Sequence, residues 1–157
     1  MEPRIETLAK KKLVGMSLEM TFAQNRTREL WAKFMARRGE VKDRVNRGFI
    51  SMQLFDPSLE TPFVADAPFV KWAAVEVTFH GAVPEGMGAH TMKGGTYAVF
   101  IHKGPAVEFG RTFSHIFGVW LPKSGFTLDA REHFESFGET YRPDDPKAEE
   151  EIWIPIK

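Results

Sequence analysis

The stretch Thr96-Tyr97-Ala98-Val99-Phe100-Ile101-His102, running into Lys103-Gly104-Pro105, sets the fold of this chain. Its β-branched and aromatic residues favour a strand, and Gly104-Pro105 announces a helix, because proline suits the first helical position. Glu108 follows in the first turn, where the positive end of the helix dipole favours an acid. Phe109, Phe113, Ile116, Phe117 and Trp120 then recur at helical spacing until Pro122 and Gly125 stop the run. Strands at about His133 to Phe137 and Glu150 to Ile156 come next, separated by the turn-rich Arg142-Pro143-Asp144-Asp145-Pro146.

The same order stands earlier in the chain. Leu13 to Phe22 reads as a strand, and Asn25 to Arg38 as a helix with Leu30, Trp31, Phe34 and Met35 on one face, ended by Gly39. Arg47 to Phe55 and Phe69 to Phe79 form a strand pair joined by a loop carrying Pro57, Pro62 and Pro68. Trp31-Ala32-Lys33-Phe34 answers Phe117-Gly118-Val119-Trp120, and Ala74-Val75-Glu76-Val77 answers Glu150-Glu151-Ile152-Trp153. The chain therefore reads as an α+β fold, a tandem βαββ duplication over about residues 13–80 and 95–157 within one domain, 1–157. Its antiparallel sheet carries two helices on one face and, on the other, a groove along the pseudo-twofold axis. Met1 to Lys12 reads as a charged tail whose Pro3 discourages regular structure, and Gly81 to Gly95 as a linker without apolar periodicity.

Composition narrows the function classes. The 157 residues, 43% hydrophobic with fourteen Phe and four Trp, suit one globular core with aromatic surface to spare. Residues 1–48 hold 12 Lys/Arg against 6 Asp/Glu, a bias that fits solvated faces better than a nucleic-acid surface, since no aromatics interleave with the basic residues. Absence of cysteine excludes disulfides and thiolate chemistry, and no apolar stretch has signal-peptide or bilayer-spanning character, so a cytoplasmic protein without membrane association is expected. His80, His90, His102, His115 and His133 share no metal-ligand spacing, and neither a phosphate-binding loop nor a nucleophile elbow is present, so no metal or cofactor is expected.

Strand parity sorts side chains between the two faces. In the strand from Phe69 to Phe79, Val75, Val77 and Phe79 face the helices, and Trp72, Ala74 and Glu76 the groove. In the last strand Ile152, Ile154 and Ile156 face the helices, and Glu151 and Trp153 the groove. Tyr97, Val99 and Ile101 join the groove face if Ala98 and Phe100 meet the helix. Placing Phe134 on the helix side puts His133, Glu135 and Phe137 in the groove as well. The expected site is thus Glu135, Glu76 and Glu151 among Trp72, Tyr97, Trp153, Phe137 and His133. Rings and partly desolvated carboxylates together hold a flat or lipophilic cation. The plainer alternative is that each acid pairs with a nearby Lys or Arg and each ring only packs.

Gly95-Thr96-Tyr97-Ala98-Val99-Phe100-Ile101-His102-Lys103-Gly104-Pro105, Ala74-Val75-Glu76-Val77 with Pro84-Glu85-Gly86-Met87, Trp120-Leu121-Pro122-Lys123-Ser124-Gly125, and Glu151-Ile152-Trp153-Ile154-Pro155-Ile156-Lys157 resemble the GyrI-like family. These are effector-binding domains of AraC- and MerR-type regulators, also found free-standing, and the likeness runs from about Leu13 to Lys157. The resemblance implies an SHS2-like tandem of βαββ units with a central ligand groove. In its multidrug-sensing members an acid matched by Glu135 contacts cationic aromatic drugs, a tyrosine matched by Tyr97 lines the same pocket, and Glu76 and Glu151 match family acids. No segment resembles the regulators' DNA-binding domains, so direct nucleic-acid binding is not expected.

The leading expectation is therefore binding of a hydrophobic, cationic or aromatic small molecule for sensing or sequestration. Some free-standing relatives are implied to hydrolyse reactive cyclopropane compounds, which here makes Glu135 or Glu76 a general base. Others are implied to restrain gyrase, so a protein partner, a regulator or gyrase itself, stays open as a third possibility.

Overall fold

The computed structural model describes residues 1–58 and 63–157; Pro62, one of the three loop prolines noted above, lies outside them. Eight strands, β1 (Arg4–Leu8), β2 (Lys11–Met20), β3 (Phe49–Phe55), β4 (Phe69–Val77), β5 (Gly88–Met92), β6 (Gly95–Lys103), β7 (His133–Phe137) and β8 (Glu149–Pro155), pair antiparallel in one sheet of order β1-β6-β8-β7-β3-β4-β2-β5. Helix α1 (Thr27–Arg37) follows β2, and the second helical run follows β6. The α+β class and the two βαββ units stand as the sequence indicates, meeting where β3 pairs with β7.

Two segments depart from the sequence reading. The supposed tail contains β1 and the supposed linker contains β5, and each pairs with the opposite unit, β1 with β6 and β5 with β2. Neither has an apolar pattern of its own. Both become strands because a neighbour's free backbone groups are waiting, which hydropathy cannot reveal.

These two strands also force the sheet to curl. β1 and β2 stand six places apart in the sheet, about 29 Å if it were flat at roughly 4.8 Å per strand, yet only Ala9 and Lys10 separate them in sequence. Leu8 and Lys11 can be no more than about 11 Å apart. The same holds for β5 and β6, joined by Lys93-Gly94, so the edges must roll toward one another into a half-barrel. The two connectors cross where Gly94, at φ 77°, leaves no room for a side chain: a Cβ there would lie 2.5 Å from the Leu8 carbonyl oxygen. Arg131 ties this closed end together, donating to the carbonyls of Gly94 at 2.8 Å and Thr96 at 2.6 Å, with its guanidinium 4.7 Å from the Tyr97 ring centroid.

Curling produces three cores. On the convex face α1 covers one of them (Leu30 and Phe34 over Val14, Phe69, Val75 and Val77), and the second helical run covers another (Ile116 over Ala98, Phe100, Ile152, Ile154 and Ile156). The third fills the concave interior with Leu13, Ile50, Met52, Met92, Tyr97, Val99, Phe134 and Trp153, and no helix covers it. Phe79, expected against a helix, lies beyond β4 and is 55% exposed.

The second helical run is not one uniform helix. Pro105 is extended and caps a 3-10 turn, Ala106–Glu108, that leads into α2 (Phe109–His115); a π turn over Ile116–Trp120 follows, then α3 (Leu121–Ser124), which Gly125 ends at φ 81°. Pro122 lies inside α3 and the helix continues past it to Ser124, so Gly125 ends the run. Among the described residues no helix is long and apolar enough to cross a membrane.

Candidate functional site

The sheet separates the eight expected residues into two groups. On the concave face stand Trp72, Glu76, Tyr97, Glu151 and Trp153, as parity required. On the convex face, in the seam between α1 and α2, stand His133, Glu135 and Phe137. The correction concerns β7. Phe134, expected on the helix side, opposes Met52 and Trp153 and stacks on the Trp153 ring at 5.2 Å and 15°, inside the curl. With apolar cores on both sides of the sheet, a buried phenylalanine does not mark the helix side, and its neighbours at alternate positions invert with it.

The concave acids are occupied. Lys11 Nζ pairs with Glu76 Oε1 at 2.8 Å, and Arg4 Nη2 with Glu151 Oε2 at 2.6 Å while its guanidinium lies 5.7 Å from the Trp153 ring centroid. Both cations come from segments that the sequence reading had set aside as a tail. Tyr97 is fully buried and its hydroxyl donates to the Glu132 carbonyl at 2.8 Å. Glu132, buried and unforeseen, lies 2.8 Å from His90 Nε2; burial pushes its carboxyl up, but the His90 and Lys93 hydrogen bonds outweigh that and hold it below the usual range. A cleft of about 500 Å³ remains at the other end of this face, with Glu76, Glu151, Ile101, Phe134, Ser136 and Trp153 among its walls. The plainer expectation, in which acids pair and rings pack, holds on this face.

The convex seam is different. Glu135 opposes Ser51 on β3 and Ile152 on β8, and its Oε1 accepts from Gln53 Nε2 at 3.1 Å. Among the described residues no Lys, Arg or His lies within ion-pair distance of it. It is surrounded by protein yet still touches solvent. Burial raises its carboxyl to about 7 against the opposing pull of Lys71; Glu150 adds to the rise and Gln53 offsets part of it. Glu150, on β8, is likewise raised to about 7 by burial, opposed by Lys71 and by the Tyr141 hydroxyl turned toward it.

Aromatic clusters flank this acid on either side along β7. Toward one end, Phe137 packs on Tyr141 at 4.5 Å, on Trp31 of α1 at 5.3 Å and on Phe49 at 5.8 Å. Toward the other, His133 meets Phe55 edge-on at 4.9 Å and Phe63 at 6.0 Å, and Phe63 packs in turn on Phe117 at 4.9 Å and on Phe113 of α2 at 6.0 Å. His133 makes no hydrogen bond to Glu135. Burial, with Arg131 nearby, lowers its imidazole to about 3, so it is a neutral, largely apolar wall. Glu135 thus stands between rings contributed from both helices, with no ion-pair partner among the described residues.

Sequence reasoning missed Gln53, Lys71, Glu150 as a seam residue, Tyr141 and Phe63. A signal for the first was present: Phe49-Ile50-Ser51-Met52-Gln53-Leu54-Phe55 places Ser51 and Gln53, both buried, on the same face as Phe49 and Phe55, where a purely packed strand would be apolar.

Residues 1–157 match the GyrI-like small molecule binding domain family. The transcriptional regulator BrlR of Pseudomonas aeruginosa is 29% identical over 148 residues, covering 92% of this chain and 51% of BrlR, so the chain spans about half the length of that relative. The solved structure of SAV2435 bound to tetraphenylphosphonium superposes with a TM-score of 0.78 at 17% identity, covering 100% of this chain and 94% of that one. A hydrolase encoded by lin2189 of Listeria innocua superposes at 0.62 with 10% identity, covering 99% and 92%. At these identities the two structures show a shared fold.

Proposed function

The chain belongs to the GyrI-like small molecule binding domain family, and from that membership we propose that it binds a hydrophobic aromatic cation in the seam between α1 and α2, with Glu135 as the counter-charge. One observation carries this reading. Glu135 is a protein-enclosed carboxyl whose hydrogen-bond partner is an amide, Gln53, with no cation within ion-pair distance among the described residues and only Lys71 acting on it from farther off. An acid left in that state disfavours its own charge, and an incoming cation relieves the penalty. Phe137, Tyr141 and Trp31 on one side and Phe63, Phe113 and His133 on the other offer ring faces to the ligand. Glu76 and Glu151 have cations already, so the groove face is the weaker candidate. SAV2435, which shares the fold, was solved with a cation of this class. The test is titration with tetraphenylphosphonium or a fluorescent cationic dye. Wild type binds, and Glu135→Gln loses at least tenfold in affinity; equal affinity in the variant removes Glu135 from the site.

A second reading, hydrolysis, is favoured by the same carboxyl, because a base titrating at about 7 is matched to neutral pH. Glu135 would take a proton from water as the oxygen attacks a strained ring carbon, the breaking C–C bond's electrons being protonated in turn. Mass-spectrometric turnover of an electrophilic cyclopropane, lost in Glu135→Gln, supports this reading; no turnover by the wild type removes it.

A further inference from the structure

On the helix face Glu135 does not stand alone. Its direct partner on β8 is Ile152, which makes Glu150 the diagonal neighbour on the same face, roughly 7–8 Å away along the backbone and within reach for two glutamate side chains. Gln53 of β3 hydrogen-bonds Glu135, and Gln53 pairs across the sheet with Lys71 of β4, whose long side chain acts on both acids. Tyr141, from the segment between β7 and β8, faces Glu150. His133 of β7 is neutral. His102 of β6, opposite Glu150, has its ring nitrogens engaged by Thr112 Oγ1 at 2.7 Å and the Pro105 carbonyl at 3.2 Å. Two carboxyls and one ammonium therefore share an enclosed site, and the ammonium balances only one carboxylate.

Resting on the reading of Glu135 given above, we propose that Glu150 is a second ligand-binding acid and that the pair takes up a monocation in exchange for a proton. In the empty site Lys71 balances one carboxylate and a shared proton neutralises the other. Below neutrality the arriving cation replaces that proton, so the enclosed charge stays at zero in both states. Both carboxyls titrate near neutrality, which makes the exchange measurable at ordinary pH. The preferred ligand class is accordingly a lipophilic monocation. A dication leaves one charge unbalanced, and a neutral isostere displaces nothing.

Calorimetric titration of the wild type with tetraphenylphosphonium, in buffers of different ionisation enthalpy at pH 6.5 and pH 9, counts the protons. The expected result is release approaching one proton per cation at pH 6.5 and close to none at pH 9, with affinity rising up to about tenfold per pH unit below neutrality and levelling above it. Triphenylphosphine oxide, a neutral probe, should release none. Glu150→Gln should still bind, with affinity about tenfold lower and proton release at pH 6.5 nearly abolished, because Lys71 then balances Glu135 alone. Binding with no proton release and no pH dependence overturns the exchange while leaving the site intact. Absence of binding at every pH overturns the site itself and the exchange with it. The wild-type count decides the matter even if the Glu150 variant fails to fold.

Discussion

Replacing Glu135 by glutamine should stabilise the unliganded protein at alkaline pH and do little at pH 5. The carboxyl titrates at about 7 in the folded chain against an ordinary 4.5, chiefly through burial. Between those values the folded protein holds a proton that the unfolded chain has released, so raising the pH through this window draws the equilibrium toward unfolding. The stability this carboxyl contributes is complete below 4.5 and lost by the time the pH passes 7. The displacement corresponds to roughly 3 kcal/mol, an upper figure because Glu135 touches solvent and shares its environment with Glu150. Wild type alone is a poor reporter, since His133, lowered to about 3 by burial, adds stability as the pH rises from about 3 toward 6.5 and partly masks the loss. The difference between Glu135→Gln and wild type isolates the effect. It should grow by about 2–3 kcal/mol in favour of the variant between pH 5 and 8.5, or roughly 4–12 °C in Tm for a chain of this size. Paired urea melts at four pH values measure it. Parallel curves for the two proteins across the range would refute the reasoning.

Three further expectations concern the scaffold and the other face. Glu76→Gln and Glu151→Gln should leave affinity for tetraphenylphosphonium within about twofold of wild type by fluorescence competition, because Lys11 and Arg4 already satisfy these acids. Arg131→Ala should cost about 3 kcal/mol in chemical denaturation, since it orphans the Gly94 carbonyl, removes the bonds to the Thr96 and Ile156 carbonyls and uncovers the Tyr97 ring at the closed end. Gly94→Ala should lower Tm by several degrees, roughly 2 kcal/mol, because its φ of 77° and its approach to the Leu8 carbonyl both exclude a Cβ.

The repeat was legible because each βαββ unit buries its own apolar stripe, which leaves period-two and helical patterns that a single sequence displays. Leu30 and Phe34 of α1 and the alternation of Ile152 and Ile154 in β8, continued by Ile156 just beyond it, all fall where those patterns put them. β1 and β5 were not legible, since their strand character is conferred by pairing across units and not by their own side chains. The site was half legible for a related reason. Parity tells which residues share a face but not which face carries the helices, and Phe134 gave a false sign because the curled sheet buries both sides. Glu135, His133 and Phe137 do stand together, while Glu76, Tyr97 and Trp153 stand together elsewhere. Ion pairing was beyond reach from sequence, because it depends on which strands become neighbours: Lys11 stands diagonal to Glu76 on the paired strands β2 and β4, and Arg4 reaches Glu151 from β1 across β6.

Location of the ligand tests the central claim most directly. A crystal structure of the protein soaked with tetraphenylphosphonium should show the phosphonium in the seam between α1 and α2, its rings against Phe137 and Phe63 and its charge beside Glu135. Density confined to the concave cleft between Glu76 and Glu151, with Arg4 and Lys11 displaced, contradicts the account.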